Sequence, residues 1–237
     1  MTTATATIPH SPTTRAAATG VRDMAPLLGG LVPFGMAIGV VIAASPLDHA
    51  VGWATGPVLF SGGSQLTAIE LLGSGAGALS VVVSLLVLNA RFVLYSAALA
   101  PALDAQPTWF RWLAPYFIVD PVVATASDPS TEGHDDAWWR WHYLGAAGTL
   151  WVAWIGAIGI GIAAGPAIDP ALGLEFAAQL CLLALLARRL RDRAMALPAL
   201  AGALTATLAF VVPTALAVLL AMAAGSSVAA ISRRDQP

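Results

Sequence analysis

The chain has 237 residues, of which 58% are hydrophobic and 10% are charged, and its formal net charge is -2. Soluble domains carry about 25% charged residues, so this composition excludes an ordinary soluble domain and predicts an integral membrane protein. The apolar stretches are long and continuous, which favours an all-α, polytopic membrane helix bundle over a β-barrel. Lysine is absent, a bias typical of GC-rich bacterial genomes, and no basic tract indicates nucleic-acid binding.

Residues 1–24 are polar and rich in threonine, alanine and proline. They lack the apolar core and cleavage site of a signal peptide, so we expect a short disordered cytoplasmic tail. The apolar segments that follow are predicted as membrane spans, at 26–44, 54–73, 78–100, 111–127, 143–164, 171–187 and 195–231. The last segment is too long for one crossing of a ~30 Å hydrocarbon core. We expect Pro213 to divide it into spans at 195–211 and 213–231.

These segments predict about seven to eight spans in a single transmembrane domain over 25–231, with a cytoplasmic tail at 232–237. The segment 111–127 has the weakest sequence signal for a membrane span, because it is short and contains two prolines and Asp120. It is predicted as either a complete or a broken crossing. Arginines cluster before the first span, after the sixth and behind the last: Arg15, Arg22, Arg188, Arg189, Arg191, Arg193, Arg233 and Arg234. Eight spans put all three clusters on one side, which the positive-inside rule makes cytoplasmic.

The sequence also contains an internal repeat. "FGMAIGVVIAASP" at 34–46 aligns without gaps with "WIGAIGIGIAAGP" at 154–166, with seven identical positions. "SQLTAIELL" then matches "AQLCLLALL", which pairs Gln65 with Gln179. Two matches in the same order indicate duplicated units at about 26–127 and 143–231, and transporters commonly bind substrate between such repeats. The repeats are parallel if 111–127 spans the membrane and inverted if it does not.

The third predicted span carries a permanent charge at membrane depth. Arg91 lies about 13 Å from the outer end of the span at 1.5 Å per residue. An unpaired arginine there costs about 2.5–3.5 kcal/mol. Asp120 is the acidic residue at matching depth, so we expect an ion pair that either serves transport or only locks two helices. Asn89 and Gln65 lie at a similar depth, and Tyr95 shares a polar helix stripe with Arg91.

Two glycine-containing segments are further candidates. In "SGGSQ" at 61–65, the glycines permit close helix packing or a local break, and the flanking side chains offer hydrogen bonds. A proline and a glycine interrupt the first predicted span at mid-depth, where they produce either a kink or a broken helix whose free amides receive a carboxylate. The candidate residues of these two segments are Gly62, Gly63, Ser64, Gln65, Pro33 and Gly35.

Together these segments resemble the AzlC-type permeases, the large subunits of branched-chain amino acid exporters. The matching elements are "LVPFGMAIGV" at 31–40, "FSGGSQLTAIELL" at 60–72, "LNARFVLYSAAL" at 88–99 and the arginine-rich loop at 188–193. The resemblance covers roughly 27–230. At 119–122 the chain has "VDPV" where the family more often has Thr-Asp-Glu, so only Asp120 carries over.

The resemblance implies a secondary exporter of leucine, isoleucine and valine, with methionine as a further candidate substrate. It implies a bacterial cytoplasmic membrane location, a cytoplasmic N-terminus and a small hydrophobic AzlD-type partner subunit. An amino acid needs a cationic or amide site for its carboxylate, an acceptor for its ammonium group and an apolar pocket. The candidate transport residues are Arg91, Asn89, Asp120, Gln65, Ser64, Gly62, Gly63, Pro33, Gly35, Tyr95 and Gln179.

The chain carries no nucleotide-binding motif, so we expect coupling to an ion gradient, with Asp120 as the candidate proton carrier. No cofactor, metal site or enzymatic activity is predicted, since HExxH, GxSxG and histidine-rich patterns do not occur. Two other functions stay open. A channel for small polar solutes would lack saturable efflux against a gradient. A non-transporting assembly subunit would lose folded protein, but not transport per molecule, when Arg91 is replaced.

Overall fold

The computed structural model describes residues 12–167, and within that range every regular element is helical. The helices in chain order are α1 (Pro12–Ala44), α2 (His49–Leu59), α3 (Gly62–Gly73), α4 (Ala78–Asn89), α5 (Arg91–Asp104), α6 (Thr108–Leu113), α7 (Asp120–Ala126) and α8 (Asp136–Ala164). Short 3₁₀ turns lie at Ala114–Phe117, Pro129–Thr131 and Gly165–Ala167. The predicted all-α class is confirmed for this part of the chain.

Two stretches in the described range, Thr13–Ala44 and Asp136–Ala167, are long and apolar enough to cross a membrane. A third crossing results if α4 and α5, which are bent by 41° at their break, form one span. The predicted spans at 26–44, 78–100 and 143–164 fall within these helices. Those at 171–187, 195–211 and 213–231 lie outside the described residues, together with Gln179, so the total of seven or eight spans stays a prediction.

The predicted disordered tail is wrong for residues 12–24, which form the first turns of α1. Pro12 suits the first turn of a helix because it lacks an amide hydrogen, and the alanines that follow are strong helix formers. Tertiary contacts supply the rest of the stabilisation, since Ala16 and Met24 are both fully buried. Composition alone pointed to disorder because the segment contains few large apolar residues.

Of the two alternatives for the first span, a kink or a broken helix, the break does not occur, because α1 continues through Pro33 and Gly35 to Ala44. Gly35 is buried, and a methyl group added to it would lie 3.0 Å from the Cβ of Ala157 on α8. The glycine therefore permits close packing between two helices rather than a break. Pro33 is exposed, and α1 continues on both sides of it, so the one backbone hydrogen bond that a proline cannot donate does not end the helix.

The break lies instead in the second predicted span, 54–73, which divides into α2 and α3. Pro57 lies inside α2, and Phe60 after its end adopts a left-handed conformation with φ of 38°. Ser61 is extended, with φ of -150° and ψ of 110°, and α3 begins at Gly62. The chain therefore leaves the helical path for two residues in the middle of a predicted crossing.

The described residues divide into two compact units. The first contains 12–29 and Tyr95–Ala153, and the second contains Gly30–Leu94 and 154–167. In the first unit, the buried ring of Phe110 packs edge-on against Trp139 and Tyr143 of α8. The hydroxyl of Tyr143 donates a hydrogen bond of 2.8 Å to the carbonyl of Ala114. These contacts fix the segment that follows α6 against α8.

The predicted span at 111–127 lies in this first unit as three short pieces. α6 has 6 residues, the 3₁₀ turn that follows has 4, and α7 has 7. Each piece is much shorter than the ~20 residues of a straight membrane helix. The prolines at 115 and 121 lie at the start of the 3₁₀ turn and of α7, where a proline is tolerated.

In the second unit, α1 and α8 pack through small residues and run in the same direction. A methyl group added at Gly39 would overlap the carbonyl oxygen of Ile158, and one at Gly165 would lie 2.5 Å from the Cβ of Ala43. Phe34 and Trp154, which are equivalent positions of the sequence repeat, meet edge to face with ring centres 5.5 Å apart. The matched segments therefore run in the same direction along this contact.

Candidate functional site

The candidate site surrounds the start of α3 in the second unit. The first amide groups of a helix have no partner within it and carry the positive end of the helix dipole. Ser61 occupies the position before the helix, yet its side chain makes no capping hydrogen bond to those amides. A serine there usually accepts such a bond. The side chain of Ser61 has other partners, so it leaves the start of α3 uncapped.

A chain of polar side chains connects Ser61 to the third predicted span. Nη2 of Arg91 donates to Oγ of Ser61 over 3.3 Å, and that hydroxyl donates to Oγ of Ser64 over 3.3 Å. Oγ of Ser64 donates in turn to Oδ1 of Asn89 over 2.6 Å. Both serines are buried, whereas Asn89 and Arg91 are half-buried. The predicted polar residues of the second and third spans thus lie in direct contact.

Two helix breaks meet at this cluster. Asn89 is the last residue of α4 and Arg91 the first of α5, with Ala90 between them, while Ser61 lies between α2 and α3. The guanidinium group of Arg91 therefore lies beside the uncapped start of α3. Both groups favour an anion, and the planar guanidinium fits a carboxylate through two parallel hydrogen bonds. This geometry suits a small carboxylate ligand.

Gln65, one turn further along α3, belongs to a separate buried network. Nε1 of Trp154 donates to Oε1 of Gln65 over 3.1 Å, and Nε2 of Gln65 donates to Oγ1 of Thr55 over 3.0 Å. Thr55 donates to the carbonyl of Gly52 over 2.6 Å. Gln65 is fully buried, and Trp154 is 5% exposed. The network connects α2, α3 and α8 and holds the two halves of the broken span together.

Comparison with known proteins identifies the family of the chain. The family model described as AzlC protein matches residues 26–168, which include both networks. The chain belongs to the AzlC family. The match and the apolar helices make it a membrane protein with a role connected to transport. Neither the curated proteins nor the solved structures compared with the sequence gave a match.

In this AzlC protein, the remaining predicted site residues are distributed between the two units. Tyr95 and Asp120 belong to the first unit, where the hydroxyl of Tyr95 donates to Oδ1 of Asp120. Tyr95 therefore contacts the acidic residue that the sequence predicts as the partner of the arginine. Arg91 belongs to the second unit, so its predicted ion pair with Asp120 stays a prediction.

The two glycines at the start of α3 differ in their surroundings. A methyl group added at Gly62 would lie 2.5 Å from Cε1 of Phe34 and 3.0 Å from Trp154, so this glycine is needed for close packing. The same group added at Gly63 would meet nothing within 4 Å. Gly63 is therefore the position where the start of α3 has open space beside it.

Sequence reasoning missed Thr55 and Trp154 as network partners, and also a part-buried hydrogen bond between Asp23 and His142. Thr55 lies ten residues before Gln65, a separation that places it on another helix and gives no periodic signal. Trp154 is part of the repeat, where it aligns with Phe34, so the sequence indicated packing for it. Asp23 was assigned to the disordered tail and His142 to the end of a span, which hid their contact.

Replacing Gln65 with leucine is expected to lower the free energy of unfolding by about 1–3 kcal/mol, because the buried indole N–H of Trp154 loses its acceptor. The Trp154→Phe variant should lose a similar amount. The double variant should cost less than the sum of the two, because both polar partners are then removed. Thermal unfolding of the three purified variants in detergent gives the comparison, and strictly additive losses would contradict a direct bond.

Proposed function

We propose that this chain is the large subunit of a secondary transporter that exports leucine, isoleucine and valine, with methionine as a further substrate, across a bacterial cytoplasmic membrane. It works with a small hydrophobic AzlD-type subunit and is driven by an ion gradient. Membership of the AzlC family supports a transport function, and the resemblance of the motifs to the exporters of that family supports the substrate class.

The observation that carries the proposal is the uncapped start of α3 beside Arg91. A free amino acid always presents a carboxylate, and this site offers a guanidinium group together with helix amides. Broken helices that point a helix start at a substrate carboxylate are a known transporter device. The carboxylate replaces the hydroxyl of Ser61 as an acceptor for Arg91, while that hydroxyl continues to donate to Ser64.

The other end of the amino acid needs an acceptor for its ammonium group and an apolar pocket. Oδ1 of Asn89 and the carboxylate of Asp120 are the proposed acceptors, and Asp120 is also the proposed counter-charge of Arg91. Oδ1 of Asn89 accepts one hydrogen bond, from Ser64, and the second lone pair of this amide oxygen is the proposed acceptor for the ammonium group. The apolar pocket is proposed to come from the valine, leucine and alanine side chains of the same unit.

Membrane topology is part of the proposal. Because the described parts of α1 and α8 in the second unit run in the same direction, the chain between them crosses the membrane an odd number of times. The segments 54–73 and 78–100 supply two crossings. A third is then needed, and 111–127 supplies it as a broken span. This supports parallel repeats and, with eight spans in total, a cytoplasmic N-terminus.

Feeding dipeptides to an intact cell tests the substrate class. A bacterial host without its own branched-chain exporters, given dipeptides of leucine, isoleucine or valine, accumulates the free amino acids after hydrolysis. Expression of this chain with an AzlD-type subunit is expected to lower the internal concentrations at least several-fold and to raise the external ones. Unchanged internal concentrations with both subunits present in the membrane would contradict the proposal.

The same assay separates the two alternatives. Efflux that continues against a higher external concentration, saturates, and stops when a protonophore collapses the gradient would exclude a passive channel. Efflux that follows only the concentration difference would favour one. For a non-transporting assembly subunit, an Arg91→Ala variant should lower the amount of folded protein while transport per molecule stays unchanged.

A further inference from the structure

A second polar site lies in the first unit, away from the α3 start in sequence and formed by different helices. Nε2 of His142 on α8 lies 2.8 Å from Oδ2 of Asp23 on α1. The side chain of His142 is 1% exposed, whereas that of Asp23 is 37% exposed. One partner is thus sealed inside the protein while the other reaches its surface. In the proposed topology both residues lie at the cytoplasmic ends of their spans.

The chemistry of the pair fixes which ring nitrogen is free to take a proton. An ionised carboxylate only accepts hydrogen bonds, so Nε2 of His142 carries the hydrogen that Asp23 accepts. In the neutral ring, Nδ1 is then a bare acceptor. Nδ1 is buried and has no hydrogen-bond partner among the described residues. A proton from water adds to the Nδ1 lone pair and gives an imidazolium, whose charge Asp23 balances.

The surroundings of the ring favour one proton and restrict its route. On its own helix, His142 stacks on Trp138 with ring centres 5.0 Å apart, and Trp138 stacks on the exposed His134 at 3.7 Å. The indole ring has no basic nitrogen to relay a proton, and the side of the pair that meets water is the part-exposed carboxylate of Asp23 on Nε2, so a proton reaches Nδ1 when α1 and α8 separate there and water enters. Asp128, in the loop before α8, is a further charged group near His142. Hydrogen bonds from Ser130 lower the pKa of the Asp128 carboxyl, and the electrostatic interaction with His142 lowers it further.

The backbones of the two helices touch at the same place. A methyl group added at Gly20 of α1 would overlap the carbonyl oxygen of His142. The described residues supply no acceptor for the new N–H that protonation creates at Nδ1. A buried donor without an acceptor is unfavourable, so protonation favours separation of α1 and α8 and entry of water.

We propose that Asp23 and His142 form the proton-binding site that couples this transporter to the proton gradient. Binding of a proton at His142 loosens the contact between the described cytoplasmic ends of α1 and α8, and its release restores that contact. The proposal rests on the proposed transport function. It assigns to this pair the proton-carrier role that the sequence assigned to Asp120.

Everted membrane vesicles that contain this chain and its small partner subunit separate coupling from substrate handling. Wild-type vesicles should accumulate labelled leucine when an imposed pH gradient makes the interior acidic. They should also exchange internal for external leucine without a gradient. His142→Gln and Asp23→Asn are expected to lose at least tenfold of the gradient-driven accumulation and to retain exchange. His134→Gln, at the exposed end of the same ring stack, is the matched control and should retain both.

Gradient-driven accumulation by His142→Gln at the wild-type rate would overturn the proposal, and so would its loss in Asp120→Asn alone. A merely structural role predicts that accumulation and exchange fall together. Absence of leucine exchange in the wild type refutes the proposed function, and the proton site is then decided by a titration that needs no substrate. Replacing His10, His49 and His134 with glutamine leaves one imidazole, that of His142.

Nitrogen-15 NMR of this single imidazole in lipid nanodiscs follows its protonation directly. The ring of His142 is expected to pass from the neutral to the doubly protonated form as the pH is lowered over the range in which the protein stays folded. The pH at which this change occurs should be different when Asp23→Asn is added. A ring that keeps one protonation state over that range would refute the proton site, whether or not the His142→Gln variant folds.

Discussion

Replacing Arg91 with glutamine is expected to lower leucine efflux by about 10- to 100-fold, because a hydrogen bond to a charged group contributes about 1.5–3 kcal/mol. Glutamine keeps a donor for the hydroxyl of Ser61 but removes the permanent charge and the forked geometry that fits a carboxylate. Efflux from dipeptide-fed cells gives the rate, and quantitative immunoblots of the membrane fraction give the amount of protein.

The matched control for this variant is Arg111→Gln. Arg111 forms a surface ion pair of 3.5 Å with Asp104, and its side chain is 53% exposed. Its replacement should leave efflux unchanged, since exposed ion pairs contribute little. Normal efflux by Arg91→Gln at normal membrane levels would remove Arg91 from the site. If Arg91 pairs with Asp120, exchanging the two charges should restore folded protein that either single variant loses.

Replacing Gly161 with alanine is expected to destabilise the protein more strongly than any other single added methyl group along α8 in the second unit. The new Cβ would overlap the carbonyl oxygen of Met36 and lie 2.9 Å from the Cα of Gly39. Backbone atoms cannot move aside as a flexible side chain can, so α1 and α8 must separate. Overpacking of this kind costs about 1–3 kcal/mol, and the midpoint of thermal unfolding in detergent should fall.

Gly156→Ala is the control for Gly161→Ala on the same helix. A methyl group at Gly156 would meet nothing within 4 Å. Alanine is the better helix former by about 0.5–1 kcal/mol, so this variant should match or slightly exceed the wild-type midpoint. Equal midpoints for the two variants would show that α1 and α8 do not pack through Gly161.

The sequence predicted the class of the protein and its main polar residues, because both follow from how few polar and charged residues the apolar segments contain. The low content of charged residues predicted membrane helices. The free-energy cost of placing Arg91 in an apolar segment identified it as a candidate functional residue. Ser64, which donates to Asn89, lies next to Gln65, and the predicted depth of Gln65 is similar to that of Asn89. Depth is readable from the sequence because each residue of a spanning helix advances by a fixed rise.

The position of the helix break could not be read in the same way. Proline and glycine occur in both the first and second spans, and the same residues signal a break, a kink or close packing. Gly35 proved to be a packing residue because Trp154 and Ala157 lie against it, and those neighbours are 119 to 122 residues away. The choice between these roles depends on tertiary neighbours, which local sequence does not contain.

The ordered start of α1 was missed for a related reason. Residues 12–24 have too few large apolar side chains to predict a buried helix, and their order depends on contacts with α8. The hydrogen-bonded pair of Asp23 and His142 joins two segments separated by 119 positions. Single-sequence reasoning gives depth and helical period, but not which of several helices lies beside a given face.

Competition by leucinamide tests the central claim, that the carboxylate of the substrate is recognised at the α3 start beside Arg91. Leucinamide keeps the ammonium group and the side chain of leucine but lacks the carboxylate charge. In exchange of labelled leucine by wild-type vesicles, unlabelled leucine should compete fully, and leucinamide should compete at least tenfold less well. Equal competition by leucine and leucinamide in the wild type would contradict the account.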